Sequence, residues 1–282
     1  MAKRTVFITG ATDGLGKMLA QDLAQSPFRL LLHGRNASKL SDLKQELQQI
    51  NPELEIYTYL ADFSDLQRVG EMATELLEKE SRLDILVNNA GMGAGSSNST
   101  RRLSADHYEL RFAVNYLSPF LLTQSLLPLL KKTSDITEDV RIVNVASVGQ
   151  SPLDFADLML ENGYSGVRAY SQSKLAMIMA GFELAEELKP FGITVNSLHP
   201  ATLMPTKMTI EAFGYGIASV REGVEATKYA MLSKQLQDKT GLYLDGKRLS
   251  KANPQAYDPL ARQQLYKLSL ELVGLASAVK SQ

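Results

Sequence analysis

TVFITGATDGLGK, residues 5–17, is a short apolar run that breaks on a glycine and passes directly into a helix-like segment. Gly10, Gly14 and Gly16 stand in the spacing GxxxGxG, and the helix is expected to begin near Leu15. Glycines between a strand and a helix permit a tight turn and let the main chain approach a pyrophosphate. The charge of that group then meets the N–H groups and the positive dipole end of the helix. The competing reading of the same residues is a plain strand-to-helix turn.

Outward from this stretch, short β-rich runs alternate with longer amphipathic ones. Strands are expected at Thr5–Gly10, Phe28–Gly34, Glu55–Asp62, Leu83–Gly91, Val140–Ser147, Ile193–Pro200 and Gly241–Gly246. Most are apolar without strict alternation, as a strand covered on both faces requires. Between them, SKLSDLKQELQQI repeats Leu40, Leu43, Leu47 and Ile50 at helical spacing, with Ser38 available as N-cap. Strand and helix in alternation predict an α/β fold, a parallel sheet with helices on both faces. No linker divides the chain, so a single domain over residues 1–282 is expected. Two long connections, near residues 148–166 and 203–227, follow strand ends, where the ligand crevice of an open parallel sheet lies.

Composition narrows the classes. Forty-four per cent of the 282 residues are hydrophobic and the net charge is -1, which favours a small-molecule partner over nucleic acid. The absence of cysteine excludes disulfides and thiolate chemistry, and three dispersed histidines, His33, His107 and His199, make no metal motif. No stretch is read as a secretion signal or a membrane span, so a soluble cytoplasmic protein is expected. GxSxG, HExxH and GK[ST] patterns are lacking, which leaves hydrolase, zincin and P-loop readings unsupported.

Further along, Asp62 and Phe63 end the third strand, and NNAG (Asn88, Asn89, Ala90, Gly91) ends the fourth. A carboxylate able to accept from an adenine amino group and a small-residue turn beside a ribose both suit that edge of the sheet. In RAYSQSK, Tyr170 and Lys174 lie four residues apart and share a helix face. Such a pair is either surface decoration or chemistry. A phenol normally titrates near pH 10 and a neighbouring ammonium favours its phenolate, so Lys174 is spaced to activate Tyr170 for proton transfer. Ser147, closing the fifth strand, can donate to a substrate oxygen. Asn115 sits in an otherwise apolar helix, where a buried amide must find partners.

With TGxxxGxG at Thr9–Gly16, NNAG at Asn88–Gly91, Asn115, Ser147 and YxxxK at Tyr170–Lys174 in one order, the chain resembles the short-chain dehydrogenases/reductases from about residue 5 to 250. Its second half is similar to the retinol-dehydrogenase-like branch, through DFADLMLENGYSGVRAYSQSKLA and GLYLDGKRLSKANPQAYDPLARQQLYKLSLELVG, with protochlorophyllide reductases as neighbours. The resemblance implies a Rossmann-like doubly wound sheet of about seven strands, a nicotinamide cofactor, and carbonyl–alcohol interconversion with Asn115, Ser147, Tyr170 and Lys174 as catalytic residues. Asn115 would hold a water that links Lys174 to solvent. Gly10, Thr12, Asp13, Gly14, Leu15, Gly16, Arg35, Asp62, Phe63, Asn89, Ala90, Gly91, Pro200 and Thr202 would line the cofactor, together with Tyr170 and Lys174. Ala201 departs from the family's Pro-Gly and forfeits glycine's freedom.

At the end of the second strand an acid would bind the ribose diol of NAD, whereas this chain has Gly34 followed by Arg35. NADP(H) is therefore expected, with NAD(H) as the alternative, although Asp13 is an acid in the glycine loop. Leu203, Met204, Met208, Ile210, Phe213 and Tyr215 either form an apolar lid for a hydrophobic aldehyde, ketone or alcohol or pack on the core or a partner. Leu175, Met179 and Phe182 form a stripe that either covers the sheet or makes a dimer face, so monomer and homo-oligomer both remain open. The contrasting function is a regulatory protein that senses dinucleotide without turnover.

Overall fold

In the computed structural model, which describes residues 3–95 and 100–276, strands and helices alternate as the apolar spacing predicts. The first half runs β1 (Arg4–Ile8), α1 (Gly14–Leu23), β2 (Phe28–Gly34), α2 (Ala37–Ile50), β3 (Glu55–Leu60), α3 (Leu66–Lys79) and β4 (Ile85–Asn88). A long helical stretch follows: α4 (Leu110–Phe112), a π turn (Ala113–Leu117) and α5 (Ser118–Ser134). Then come β5 (Val140–Val145), α6 (Gly166–Leu188), β6 (Ile193–His199), α7 (Lys207–Phe213), α8 (Val220–Leu232), β7 (Leu242–Asp245), β8 (Arg248–Ser250) and α9 (Pro259–Leu272).

The strands form one sheet in the order β3-β2-β1-β4-β5-β6-β7-β8, parallel except for β8. The order in which strands are added reverses between β1 and β4, which stay parallel, and the carboxyl ends there open a crevice for a ligand. Alternate residues of each central strand face opposite layers. Phe7, Leu31, Leu86 and Ile142 join the core under α3, α5 and α6, whereas Val6, Ile8, Leu30, Leu32, Ile85 and Val87 join the core under α1, α2 and α8. Every residue of β4, β5 and β6 is buried, polar ones such as Asn144 and Asn196 included, as strands covered on both faces are.

Several expectations are corrected. The sheet has eight strands rather than about seven, because Asp245 and Gly246 open a tight hairpin in which Asp245 pairs with Arg248. Gly246 takes φ 60°, a left-handed conformation suited to that turn, and the polar KRLS after it carries no strand-like apolar signal. Asn36, not Ser38, caps α2 by accepting from the Lys39 N–H at 3.0 Å. Residues 220–227 of the second long connection belong to α8. One helical stretch, Leu110–Ser134, is long and apolar enough to cross a membrane, contrary to the expectation that none is, and 78% of its apolar window is buried inside the protein.

The C-terminal helix settles the stripe on α6. Leu175, Met179 and Phe182 are buried, and the Phe182 ring lies 5.5 Å from that of Tyr257, just before α9. α9 itself straps α5 and α6. The Tyr266 hydroxyl donates to Glu187 and accepts from Gln124, Arg262 pairs with Glu183, and Ser269 meets the Tyr116 hydroxyl at 2.6 Å. That face is covered by α9 and the turn before it in the same chain.

Candidate active site

The glycine loop and the NNAG turn are one interlocked unit. Thr9 Oγ1 accepts from the Asn89 and Ala90 N–H groups at 2.9 and 3.0 Å, and Asn89 Nδ2 donates to the carbonyls of Thr9 and Gly10. The strand ends are so close that a Cβ on Gly10 would sit 2.8 Å from Ala90 Cα. One on Gly16 would sit 2.3 Å from the Gly10 carbonyl oxygen and 2.6 Å from Asn89 Nδ2. Gly10 (φ 66°) and Gly14 (φ 50°) also need the left-handed region. α1 begins at Gly14, within one residue of expectation, and Asp13 caps it by accepting from the Gly14 N–H at 2.7 Å. Leu15 and Gly16 keep first-turn N–H groups without intrahelical acceptors, which is what an anion needs.

His33, which sequence reasoning passed over, ties this unit to its neighbours. Its Nδ1 accepts from the Gly10 N–H at 3.2 Å, its Nε2 lies 3.0 Å from the Ala61 carbonyl, and its ring stacks on Phe63 at 4.3 Å. The first bond requires an unprotonated Nδ1, so the ring is neutral with its proton on Nε2. Burial pushes its pKa down to about 4 from 6.5, against the opposing pull of the Ala61 carbonyl and Asp62. Phe63, a predicted cofactor residue, is thus buried as the floor beneath His33, and its carbonyl accepts from Ser118 Oγ. Asp62 accepts from the Ser64 N–H and hydroxyl and stays exposed at the crevice.

A neutral histidine that must charge on unfolding has a fixed sign. The unfolded chain binds the proton more readily, so stability is full above pH 6.5 and is lost as pH falls toward 4, by roughly 3 kcal/mol in all. A His33→Phe protein is less stable at pH 7 but lacks this dependence. Urea unfolding of the two at several pH values should show the gap closing as pH falls; a gap constant from neutral to acid pH would contradict the account.

On the other side of the crevice, Asn115 lies within the π turn. Its Oδ1 accepts from the Met92 N–H at 2.7 Å, and its Nδ2 donates to the Met92 carbonyl and to Ser173 Oγ. The buried amide therefore clamps the segment after NNAG through both polar groups of Met92 and ties it to α6 through Ser173, and its side chain makes no bond to Lys174. A π turn inside an α-helix is a local irregularity that recurs at functional sites. Arg111 clamps the same segment further along, donating to the carbonyls of Gly93 and Ala94 at 2.8 and 2.6 Å and to the Tyr164 hydroxyl. Glu109, 3.6 Å from Arg111, accepts from Tyr164 and caps the Phe112 N–H. Neither charge was legible as a pair, because their common partner lies more than fifty residues away.

Ser147, Tyr170 and Lys174 converge beside that segment. Ser147 Oγ accepts from the Gly149 N–H at 3.0 Å, and it and the Tyr170 ring flank Gly149, 3.5 and 3.6 Å from where a Cβ there would sit. Lys174 Nζ donates to the Val145 carbonyl at 2.9 Å and stands 5.9 Å from the centroid of the Tyr170 ring. A Cβ on Gly91 would lie 3.2 Å from Asn115 Oδ1 and 3.5 Å from Lys174 Nζ, so the NNAG turn runs directly against Asn115 and Lys174. Burial raises the pKa of Tyr170, with the Ser147 hydroxyl opposing, and lowers that of Lys174 to about 8. At neutral pH the phenol is protonated and the lysine is mostly an ammonium.

The second long connection closes over the glycine loop. The Ile217 and Ala218 N–H groups bond to the carbonyls of Leu203 and Thr202, fastening its base. Met204 fills the space left by Gly223 against Leu15, and Thr206 lies over Gly14. Thr202 Oγ1 meets His199 Nε2 at 3.2 Å, and Pro200 is buried at the end of β6. Of the expected apolar lid, Leu203 and Met204 are half-buried and Ile210 and Tyr215 are exposed. The side chains of Met208 and Phe213 lie outside the described residues.

Beyond Thr12, a groove of about 270 Å³ is lined by Thr12, Asp13, Lys17, Lys39, Asp42 and Leu43. Lys17 pairs with Glu46, while the exposed side chains of Arg35 and Lys39 make no hydrogen bond or ion pair among the described residues. A Cβ on Gly34 would come within 2.7 Å of Thr12 Cγ2, so an acidic side chain at that position has no room.

The short chain dehydrogenase family profile matches residues 4–214. The chain belongs to the short-chain dehydrogenases. Retinol dehydrogenase 13 of Mus musculus is 32% identical over 294 residues, covering 98% of this chain and 85% of that protein. Retinol dehydrogenase 11 of Mus musculus is 31% identical, covering 96% and 87%. This short-chain dehydrogenase thus falls in the retinol-dehydrogenase-like branch and is an oxidoreductase acting on CH–OH or C=O groups. Among solved structures, the Pseudomonas aeruginosa RhlG/NADP active-site complex aligns with TM-score 0.70 at 27% identity, covering 87% of this chain and 95% of that one. YwfH, an NADPH dependent reductase involved in bacilysin biosynthesis, shares the fold with TM-score 0.70 at 22% identity, covering 88% and 100%.

Proposed function

We propose that this short-chain dehydrogenase interconverts an apolar aldehyde or ketone and its alcohol with NADP(H), Tyr170 exchanging the proton at oxygen. The observation that carries the reading is the convergence of Ser147, Tyr170 and Lys174 beside the interlocked glycine loop and NNAG turn. The residues suit a dinucleotide: two first-turn N–H groups of α1 are free for a pyrophosphate, and Asp62 is exposed for an adenine amino group.

When bound, a reduced nicotinamide supplies the hydride. Ser147 Oγ holds the carbonyl oxygen and polarises it. Tyr170, protonated at neutral pH, delivers its proton to that oxygen as charge builds there. The Lys174 ammonium then stabilises the phenolate left behind, and solvent restores the proton. In the reverse direction the phenolate accepts the alcohol's proton, so oxidation is favoured at higher pH.

Two further points support the finer reading. Arg35 and Lys39 are unpaired cations beside a Gly34 that leaves no space for a ribose-binding acid, the arrangement a 2′-phosphate needs. The RhlG complex, at 27% identity, holds NADP. For the substrate, the relatives are named for retinol, an apolar alcohol, and Leu203, Ile210 and Tyr215 offer apolar surface on the second long connection.

The test is oxidation of NADPH and of NADH, followed by absorbance, across a panel of apolar aldehydes and ketones. NADPH should be preferred, and Arg35→Ala should weaken NADPH binding by about ten- to a hundred-fold, the worth of a charge-assisted hydrogen bond, with NADH unchanged. Lys39→Ala should act in the same direction. Tighter NADH binding in the parent, or equal losses for both cofactors, would sink the assignment.

A further inference from the structure

Behind Ser147 lies a second layer of hydrogen bonds contributed by the C-terminal part of the chain, beyond the residues the family profile matches. The Tyr243 hydroxyl, on β7, donates to the Ser147 carbonyl at 2.9 Å, and the same oxygen accepts from Gln150 Nε2 at 2.9 Å. Gln150 Oε1 is in turn held by the Asn253 N–H at 2.8 Å. Two residues on, the Gln255 side chain both accepts from the Leu153 N–H and donates to the Leu153 carbonyl. Tyr243 is 3% exposed, and its phenol is near enough to Tyr170 for the two to interact electrostatically.

A buried tyrosine hydroxyl usually finds one partner, and any carbonyl would satisfy it. This one takes the carbonyl of Ser147, whose Oγ flanks Gly149 together with the Tyr170 ring and opposes the rise in the phenol's pKa. Ser147 lies two residues past the end of β5, where the parallel ladder no longer holds its carbonyl. From Tyr243 and Gln150 that oxygen receives two donors, which fills both lone pairs and fixes the peptide plane that carries the Ser147 side chain.

We propose that Tyr243 is a positioning residue for Ser147, aiming its hydroxyl at the Tyr170 phenol and the substrate oxygen, with Gln150 as the second tether. The inference rests on the roles assigned above to Ser147 and Tyr170. Tyr243 touches neither substrate nor cofactor in this account; it acts through the serine. Removing its hydroxyl leaves the ring and its packing intact but frees the Ser147 peptide to rotate. Because the Ser147 hydroxyl holds the Tyr170 phenolate down in pKa, a misaimed serine raises that pKa.

Tyr243→Phe, Ser147→Ala and the double variant test this. In the parent background Tyr243→Phe should lower kcat by about ten- to a hundred-fold, the cost of slight misalignment, while Kd for NADPH stays within about two-fold. The fall of the reduction rate at alkaline pH, where Tyr170 loses its proton, should move to higher pH. In the Ser147→Ala background the same change should alter kcat by no more than about two-fold, because the group it positions is gone. An equal loss in both backgrounds, or no loss in the parent, overturns the proposal. Gln150→Leu gives an independent variant, with a smaller loss and the same lack of additivity.

A readout free of turnover separates this inference from the reading it rests on. Amide hydrogen exchange over residues 146–150 of the cofactor-free protein should quicken in Tyr243→Phe, and unchanged protection overturns the tether even if the parent is active. A parent that reduces no carbonyl, with exchange quickened as expected, defeats the catalytic reading and leaves the tether standing.

Discussion

Tyr170→Phe should yield a protein that binds NADPH as tightly as the parent and reduces its best aldehyde about a thousand-fold more slowly, within the range expected for removing a general acid. The ring stays, so its packing beside Gly149 and under Lys174 is preserved, and only the proton is lost. Burial raises the phenol's pKa and Ser147 opposes that shift, so the parent holds this proton at neutral pH. Stopped-flow absorbance of bound NADPH against saturating aldehyde reads the chemical step directly. Turnover surviving the substitution would remove Tyr170 from the mechanism. Cofactor binding by the parent without turnover of any carbonyl would favour a dinucleotide sensor.

Gly16→Ala should be nearly as damaging, through the fold. One methyl group would have to share space with the Gly10 carbonyl oxygen at 2.3 Å and Asn89 Nδ2 at 2.6 Å. Neither neighbour is free to retreat: the Asn89 amide is held by the Thr9 and Gly10 carbonyls, and the Gly10 N–H is held by His33. Overpacking of a site that cannot relax costs about 3 kcal/mol. Urea unfolding should show that loss, together with at least a ten-fold weaker NADPH titration. Gly70→Ala is the contrast: this helical glycine has nothing within 4 Å of its would-be Cβ, and alanine there should stabilise by about 1 kcal/mol. Equal behaviour of the two variants would mean that the close approach of β1 and β4 is soft.

Residues that act through local spacing were legible in the sequence. Gly10, Gly14 and Gly16 sit where the turn needs them, and Tyr170 and Lys174 share a face of α6 because four residues make a helical turn. What escaped depends on partners far along the chain. His33 reads as one more residue in an apolar strand until Gly10 and Ala61 are brought to its two nitrogens. Tyr243 is separated from Ser147 by 96 residues, and Arg111 from Tyr164 by 53. β8 escaped for a different reason: a three-residue polar edge strand is recognisable only by its pairing. Asn36 displaced Ser38 as the cap of α2 because the helix starts one residue before the serine, with asparagine's oxygen in reach of the Lys39 N–H.

The strap made by α9 bears on how the protein comes off the ribosome. Tyr108 and Tyr116, made early, find their partners at Leu272 and Ser269, 164 and 153 residues later. Throughout that interval the outer faces of α5 and α6 lack their cover, and a nascent chain with bare apolar helices is a substrate for chaperones and a seed for aggregation. Closure of this face therefore waits on the emergence of α9. A shortened transcript that ends before Pro259 would retain every proposed catalytic residue and still yield a sticky, incompletely closed molecule.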